Sequence, residues 1–268
     1  MEQAQTRDIV RQSSVIAAAA FMVIAAFIGT GAAGGTSVQN LQGGALDSDG
    51  SFLAPGRSAF GIWTLIYAGL IAYTVWQALP KQRTSARQRS MGWWIAVTMV
   101  LNGAWLVTSQ VGTLLSTVVV MGLLLAALCW TFRRAVVTKE HQSPWLDAVL
   151  IDGVTGLHLG WVSVATVANV AAWLTATGPV SWEARAHLWA ITMLVVVLII
   201  GLGMSWASGW RLTPPFAMAW GCHWIGLERL LGQPYAVDVG VAALIVAALL
   251  VLVPGTARIL SLLRQSGD

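Results

Sequence analysis

Residues 187–208 read HLWAITMLVVVLIIGLGMSWAS. The run holds no Asp, Glu, Lys or Arg. At about 1.5 Å of rise per helical residue, it is long enough to cross a hydrocarbon core about 30 Å thick. A backbone placed in lipid must satisfy its own hydrogen bonds, so a run this long and this uniformly apolar predicts a helix and not a barrel strand. Similar runs recur approximately over residues 14–33, 58–79, 91–110, 112–132, 145–174, 212–231 and 237–260. With 57% apolar and 10% charged residues among 268, the composition is that of a membrane protein. The expected fold is all-α: a polytopic membrane helix bundle of about eight transmembrane helices.

The formal net charge is +4, but the basic residues form no stripe between aromatics, which argues against nucleic acid as a partner. They punctuate the apolar runs instead. Lys81, Arg83, Arg87 and Arg89 follow the second run, Arg133, Arg134 and Lys139 the fourth, and Arg211 the sixth. Arg7 and Arg11 precede the first, and Arg258 and Arg264 close the last. This alternation predicts a multi-pass protein of the cell membrane, an inner membrane in a bacterium, with both termini cytoplasmic. A charged start, an apolar core and the small residues GTGAAGG (29–35) also fit a signal peptide, yet the alternation requires this helix to be retained. Cys129 and Cys222 lie inside expected spans without CxxC spacing, so they are read as buried small apolar residues, and no metal site is expected.

The one long connection, residues 34–57, is rich in Gly, Ser and Asp and is expected outside as a flexible connector or a lid. Asp47, Asp49 and Gly50 look like the opening of a calcium loop, but the remaining ligands are missing and a polar turn is the simpler reading.

Fifteen tryptophans need an explanation. Indole rings favour the water–lipid boundary, which accounts for Trp76, Trp93, Trp94, Trp130, Trp145, Trp173, Trp182, Trp189, Trp206 and Trp210 near span ends. Trp63, Trp105, Trp161, Trp220 and Trp224 lie deeper. In the fifth run His158, Trp161, Ala165 and Asn169 fall on one helix face. Thr98, Asn102, Trp105 and Ser109 do the same in the third run, and Trp63 and Tyr67 in the second. Polar groups in a membrane helix turn away from lipid, so the three faces are expected to line a common interior. On spacing alone two readings stay open: interhelical glue, or a ligand pocket.

FGIWTLIY (60–67), LNGAW (101–105) and WVSVATVAN (161–169) resemble, in order and spacing, the second, third and fifth helices of the TspO/MBR family of tryptophan-rich sensory proteins. The resemblance covers about residues 14–175. It implies a five-helix bundle whose pocket accepts porphyrins and other tetrapyrroles, with Trp63, Asn102, Trp105, Trp161, Ala165 and Asn169 lining or bordering it. A homodimer is also implied. There are departures: of the family's Pro-rich external loop only Pro55 remains, Gly61 stands one residue closer to Trp63, and Leu157-His158 replaces a Pro-Tyr pair. An imidazole at His158 could ligate haem iron or bond a propionate, or simply be hydrogen-bonded within the bundle.

The expected organisation is therefore a TspO/MBR-like bundle over residues 1–175 and a three-helix membrane extension over 176–268. In the extension Trp220, His223 and Trp224 share a face, Pro214 and Pro215 suit a helix start, and Glu228 and Arg229 are expected to reach headgroups. Asp152, in the fifth run, is expected to face a cavity or a cationic partner. The sequence offers stacking surfaces and amides but no GxSxG, HExxH or phosphate loop, so catalytic residues are not assigned. The favoured expectation is binding, for sensing or transport, of flat hydrophobic ligands such as porphyrin or haem, with no required cofactor. The alternatives are a proton-coupled transporter using Asp152 or Glu228, and a membrane enzyme acting on the bound ligand. Partners are the lipid bilayer and a hydrophobic small molecule.

Overall fold

The structure is a computed structural model that describes residues 5–31, 36–139 and 144–265. Residues 32 and 33 of the first expected span, and 34 and 35 of the long connection, lie outside the described residues.

All eight apolar runs form helices, and the described residues contain no strand. Helix α1 (Thr6–Gly29) opens with Asp8 accepting from the backbone of Gln5 at 3.0 Å. A short 3-10 turn, Arg57–Gly61, leads into α2 (Ile62–Ala78). Helix α3 (Ala86–Val111) is N-capped by Ser85, and α4 (Leu114–Val137) by the reciprocal Thr113 and Ser116 pair. Such side-chain acceptors satisfy first-turn N–H groups that have no partner in the helix. Helix α5 runs Trp145–Thr177, with Ala148–Gly153 in π form. Helices α6 (Ala186–Ala207), α7 (Thr213–Leu231) and α8 (Val237–Gln265) complete the chain. Pro214 and Pro215 occupy the first turn of α7, where a missing N–H removes no helical bond.

Seven of these helices are long and apolar enough to span a membrane, and α7 is the exception. Pro214, Ala217, Met218, Gly221, Cys222, Ile225, Gly226 and Arg229 of α7 are all buried. A helix wrapped by protein need not carry a lipid-compatible surface.

The chain forms two compact units. The first comprises Met1–Val38 and Trp63–Thr155. Its α1 and α3 pack closely because α3 carries glycine where α1 approaches; a Cβ at Gly103 would lie 2.6 Å from the Phe21 ring. Gln12 and Gln77 exchange hydrogen bonds between α1 and α2: the Gln12 amide donates to Gln77 O at 2.7 Å and the Gln77 amide to Gln12 O at 3.2 Å. Both Arg89 contacts with the Asp8 carboxylate are 2.8 Å.

The second unit comprises Gln39–Ile62 and Gly156–Asp268. Its core gathers Leu194 and Val197 of α6, Met218, Cys222 and Ile225 of α7, and Val239, Ala243 and Leu250 of α8. Gly156 and Gly160 let α5 touch the start of α7: a Cβ at Gly160 would collide with the carbonyl oxygen of Pro214 and come within 2.9 Å of the Ala217 methyl. Gly201 faces Leu250 and Ser205 bonds Arg211 O at 3.1 Å, so both serve packing inside the unit.

Of the connection expected over residues 34–57 as a flexible connector or a lid, the part from residue 48 on is fastened to the second unit. Leu53 is buried in the second unit's core, and the Arg229 guanidinium, fully buried, donates to the carbonyls of Ser48, Ser51 and Gln233. The Gly56 N–H donates to Trp224 O at 3.3 Å, and the Trp220 indole donates to Ala59 O at 2.8 Å. The expectation that Arg229 reaches headgroups is overturned, because its guanidinium is buried and its N–H groups are taken up by the backbone carbonyls of Ser48, Ser51 and Gln233. Two smaller expectations also fail. Trp76 is buried beside Tyr73, whose hydroxyl bonds Gln88 Oε1 at 2.8 Å and keeps that face inward. Cys129 is exposed, one position from the inward-facing Leu128 on α4.

Candidate functional site

The candidate residues fall into two groups, one in each unit. In the first unit, Trp63 and Tyr67 are one helical turn apart on α2 and their rings stack at 5.2 Å with 29° between planes. The Tyr67 hydroxyl donates to Asn102 Oδ1 on α3 at 2.9 Å. Asn102 is 1% exposed, and its Nδ2 has no hydrogen-bond partner among the described residues. Exchanging the amide's two ends would let Tyr67 hold the other one, so either orientation leaves one polar end for a further partner. Trp105, one turn along α3, is buried as well.

Thr98 and Ser109 lie on the same stripe but do not extend this polar surface. Each hydroxyl returns to its own helix, Thr98 to Ile95 O at 2.8 Å and Ser109 to Leu106 O at 2.7 Å. Hydroxyls reach back to a preceding carbonyl within one turn, whereas the longer Asn102 amide projects across to α2.

In the second unit Trp161 is 1% exposed and meets Phe60 edge to face, with centroids 5.8 Å apart and 77° between planes. His158 is buried one turn earlier, between the two glycines that contact α7. Asn169 Nδ2 donates to Ala165 O, four residues back, at 3.0 Å. Phe60 is the aromatic partner that spacing rules could not single out, because its own turn is 3-10 and not α-helical.

Of the two ionisable candidates, Asp152 has a cationic partner. Arg87 donates to it, and Lys139 Nζ lies 3.4 Å away. Arg87 also lies 3.4 Å from Asp147 and donates to Ala135 O at 3.3 Å, so one guanidinium ties α3, α4 and the start of α5 together. The π segment gives Asp152 its direction, since one extra residue per turn rotates a side chain relative to a regular helix. Glu228 lies against Gly56 and Gly232 at the end of α7, and the rings of Trp220, Trp224 and His223 touch in sequence at 5.7 and 5.6 Å. Among the described residues no group of three His, Cys, Asp or Glu side chains could hold a metal ion. Asp47 is engaged by the Arg57 guanidinium at 3.0 Å, which holds its carboxyl below the usual range, and this fits the polar-turn reading.

Seven membrane-length apolar helices, with polar groups turned into the units, define a multi-pass integral membrane protein in contact with the lipid bilayer. The chain belongs to the TSPO-like protein family, which it matches over residues 11–255. The match runs through α6 and α7 and most of α8, well past the motifs near residue 175. No curated protein and no solved structure matches the chain.

Proposed function

We propose that this protein binds flat hydrophobic ligands of the tetrapyrrole class inside the membrane, for sensing or transport. The observation that carries the reading is the Trp63–Tyr67–Asn102 arrangement: a stacked aromatic pair beside a buried amide with one end unbonded among the described residues. Indole and phenol faces take up planar aromatics, and an amide end left unsatisfied in an apolar interior costs about 1–3 kcal/mol until an acceptor or donor arrives. A propionate, a carbonyl or a pyrrole edge supplies one. Trp161, Ala165 and Asn169 offer the same kind of surface in the second unit, with His158 adjacent.

Family membership supports this class of ligand, and so do the three motifs that first suggested it. Basic residues in alternate connections support a cell-membrane location with both termini cytoplasmic. A homodimer is a further expectation, and Gly203, the outward glycine of α6, is where a second helix would approach. Proton-coupled transport through Asp152 is less favoured, because its carboxylate is taken up by structural contacts with Arg87 and Lys139.

The test is a titration of the purified protein with a porphyrin, followed by quenching of tryptophan fluorescence. Saturable quenching at micromolar ligand is expected, and Asn102→Ala should weaken it by roughly 5- to 100-fold, the equivalent of about 1–3 kcal/mol. Absence of quenching, or an Asn102→Ala affinity equal to that of the parent, overturns the reading.

A further inference from the structure

At the α3–α4 corner of the first unit, two exposed tryptophans meet two arginines. Trp94 of α3 and Trp130 of α4 pack edge to face with centroids 5.7 Å apart, and 36% and 42% of their surfaces stay exposed. The Arg133 guanidinium stands 6.0 Å from the Trp130 ring centre. Arg134 donates to Ser90 Oγ at 2.7 Å, one helical turn from Trp94. Helical spacing puts Ser90 and Trp94 on one wall of the corner and Trp130, Arg133 and Arg134 on the other.

Charge balance separates this corner from the other basic groups nearby. Arg87 is matched by Asp147 and Asp152, and Arg89 by Asp8. Neither Arg133 nor Arg134 has an ion pair among the described residues. Two adjacent guanidiniums with no carboxylate partner among the described residues, above two indoles exposed at the end of a membrane helix, match an anionic headgroup above acyl chains. Arginine presents a fork suited to phosphate oxygens, and indoles occupy the glycerol level of a bilayer. The Ser90 bond fixes one fork, and the ring beneath Arg133 supports the other.

We propose that this corner is a binding site for one anionic phospholipid, its phosphate between Arg133 and Arg134 and its glycerol region against Trp94 and Trp130. The membrane supplies the ligand, because the rings that border the arginines face lipid; a free phosphate would gain nothing from them. The site is separate from the proposed tetrapyrrole surface.

The test uses the full chain equilibrated with equal amounts of phosphatidylglycerol and phosphatidylcholine, with bound lipid counted by native mass spectrometry. Phosphatidylglycerol should be retained about tenfold or more over phosphatidylcholine. Arg133→Gln with Arg134→Gln should bring the ratio near one. Arg133→Gln alone, at an exposed position, should lower it severalfold. Lys81→Gln, at an exposed basic site on the α2–α3 connection, should leave it unchanged. Equal retention by the parent, an undiminished ratio in Arg133→Gln, or displacement by millimolar inorganic phosphate each overturns the proposal.

Discussion

Replacing Arg229 with Met tests the claim that the long loop from residue 48 on is fastened and not free. The guanidinium donates to three carbonyls, those of Ser48, Ser51 and Gln233, and the first two belong to the loop. Met keeps most of the aliphatic volume and removes all three donors. Each buried carbonyl left unsatisfied costs about 1–3 kcal/mol, but water reaches part of an opened loop. Ser51 O keeps its bond from the Ala54 N–H, so the loss falls mainly on the Ser48 and Gln233 carbonyls and a net loss near 3 kcal/mol is the reasonable expectation. The loop keeps the Gly56–Trp224 bond, the Trp220–Ala59 bond and the burial of Leu53, so the loss should appear as local opening and not as unfolding. At about 1.4 kcal/mol per factor of ten, 3 kcal/mol corresponds to roughly a hundredfold larger open population. Hydrogen–deuterium exchange of residues 48–57 in nanodiscs reads that population directly. Arg229→Lys should fall in between, because an ammonium cannot present the same fork to three carbonyls. Exchange in 48–57 that stays within about threefold of the parent in Arg229→Met would refute the reasoning.

Gly160→Leu should destabilise the second unit by about 1–3 kcal/mol or more, because its side chain meets the Pro214 carbonyl; a thermal midpoint in detergent equal to the parent's would contradict the close approach. Asp152→Asn strands most of a buried cation, though Asp147 remains near it, so a loss of about 3 kcal/mol is expected, and Arg87→Met combined with Asp152→Leu should recover much of it. Asp47 has its pKa depressed by the hydrogen bond from Arg57, so the stabilisation it adds is complete above the ordinary carboxylate value of about 3.9 and fades as pH falls through the lower folded value. The protection of loop amides near Asp47, taken relative to the intrinsic exchange rate at each pH, should therefore be flat from pH 7 to about 5 and fall only in strong acid. The whole effect should stay below about 1 kcal/mol because the pair is exposed, and Asp47→Asn should abolish it.

Helix number and the residues of each polar stripe were readable from period and length, because lipid leaves a span few alternatives, whereas helix limits were not: α1 starts at Thr6 and α3 at Ala86, turns that reach beyond the apolar runs. The Trp63–Tyr67 stack follows directly from a four-residue spacing. Spacing says nothing about which stripe members reach out, and so Thr98 and Ser109 were grouped with Asn102 although each bonds its own helix. Gly156 and Gly160, four apart in an apolar run, were a legible close-contact signal that was not used. Partners distant in sequence were out of reach: Arg87 finds Asp152 across 65 residues, and nothing local to either marks the other. The π segment that turns Asp152 was equally hidden, since its sequence AVLIDG looks like any helix. Hydropathy did mark α7 as different, since Pro214, Pro215, His223, Glu228 and Arg229 lower its apolar character, but which of its side chains are buried, and against what, was not readable from it.

The fastening of the long loop also bears on the order in which the chain takes shape. Ser51 leaves the ribosome 178 residues before Arg229, a delay of roughly 9–36 s at about 5–20 residues per second. For that interval the loop has its own local backbone turns but not the Arg229 donors, and the segment Gln39–Ile62 waits for helices not yet made. A nascent chain released before α7 would carry this stretch without its clasp, which makes it a natural cutting point for proteases that survey unfinished membrane proteins.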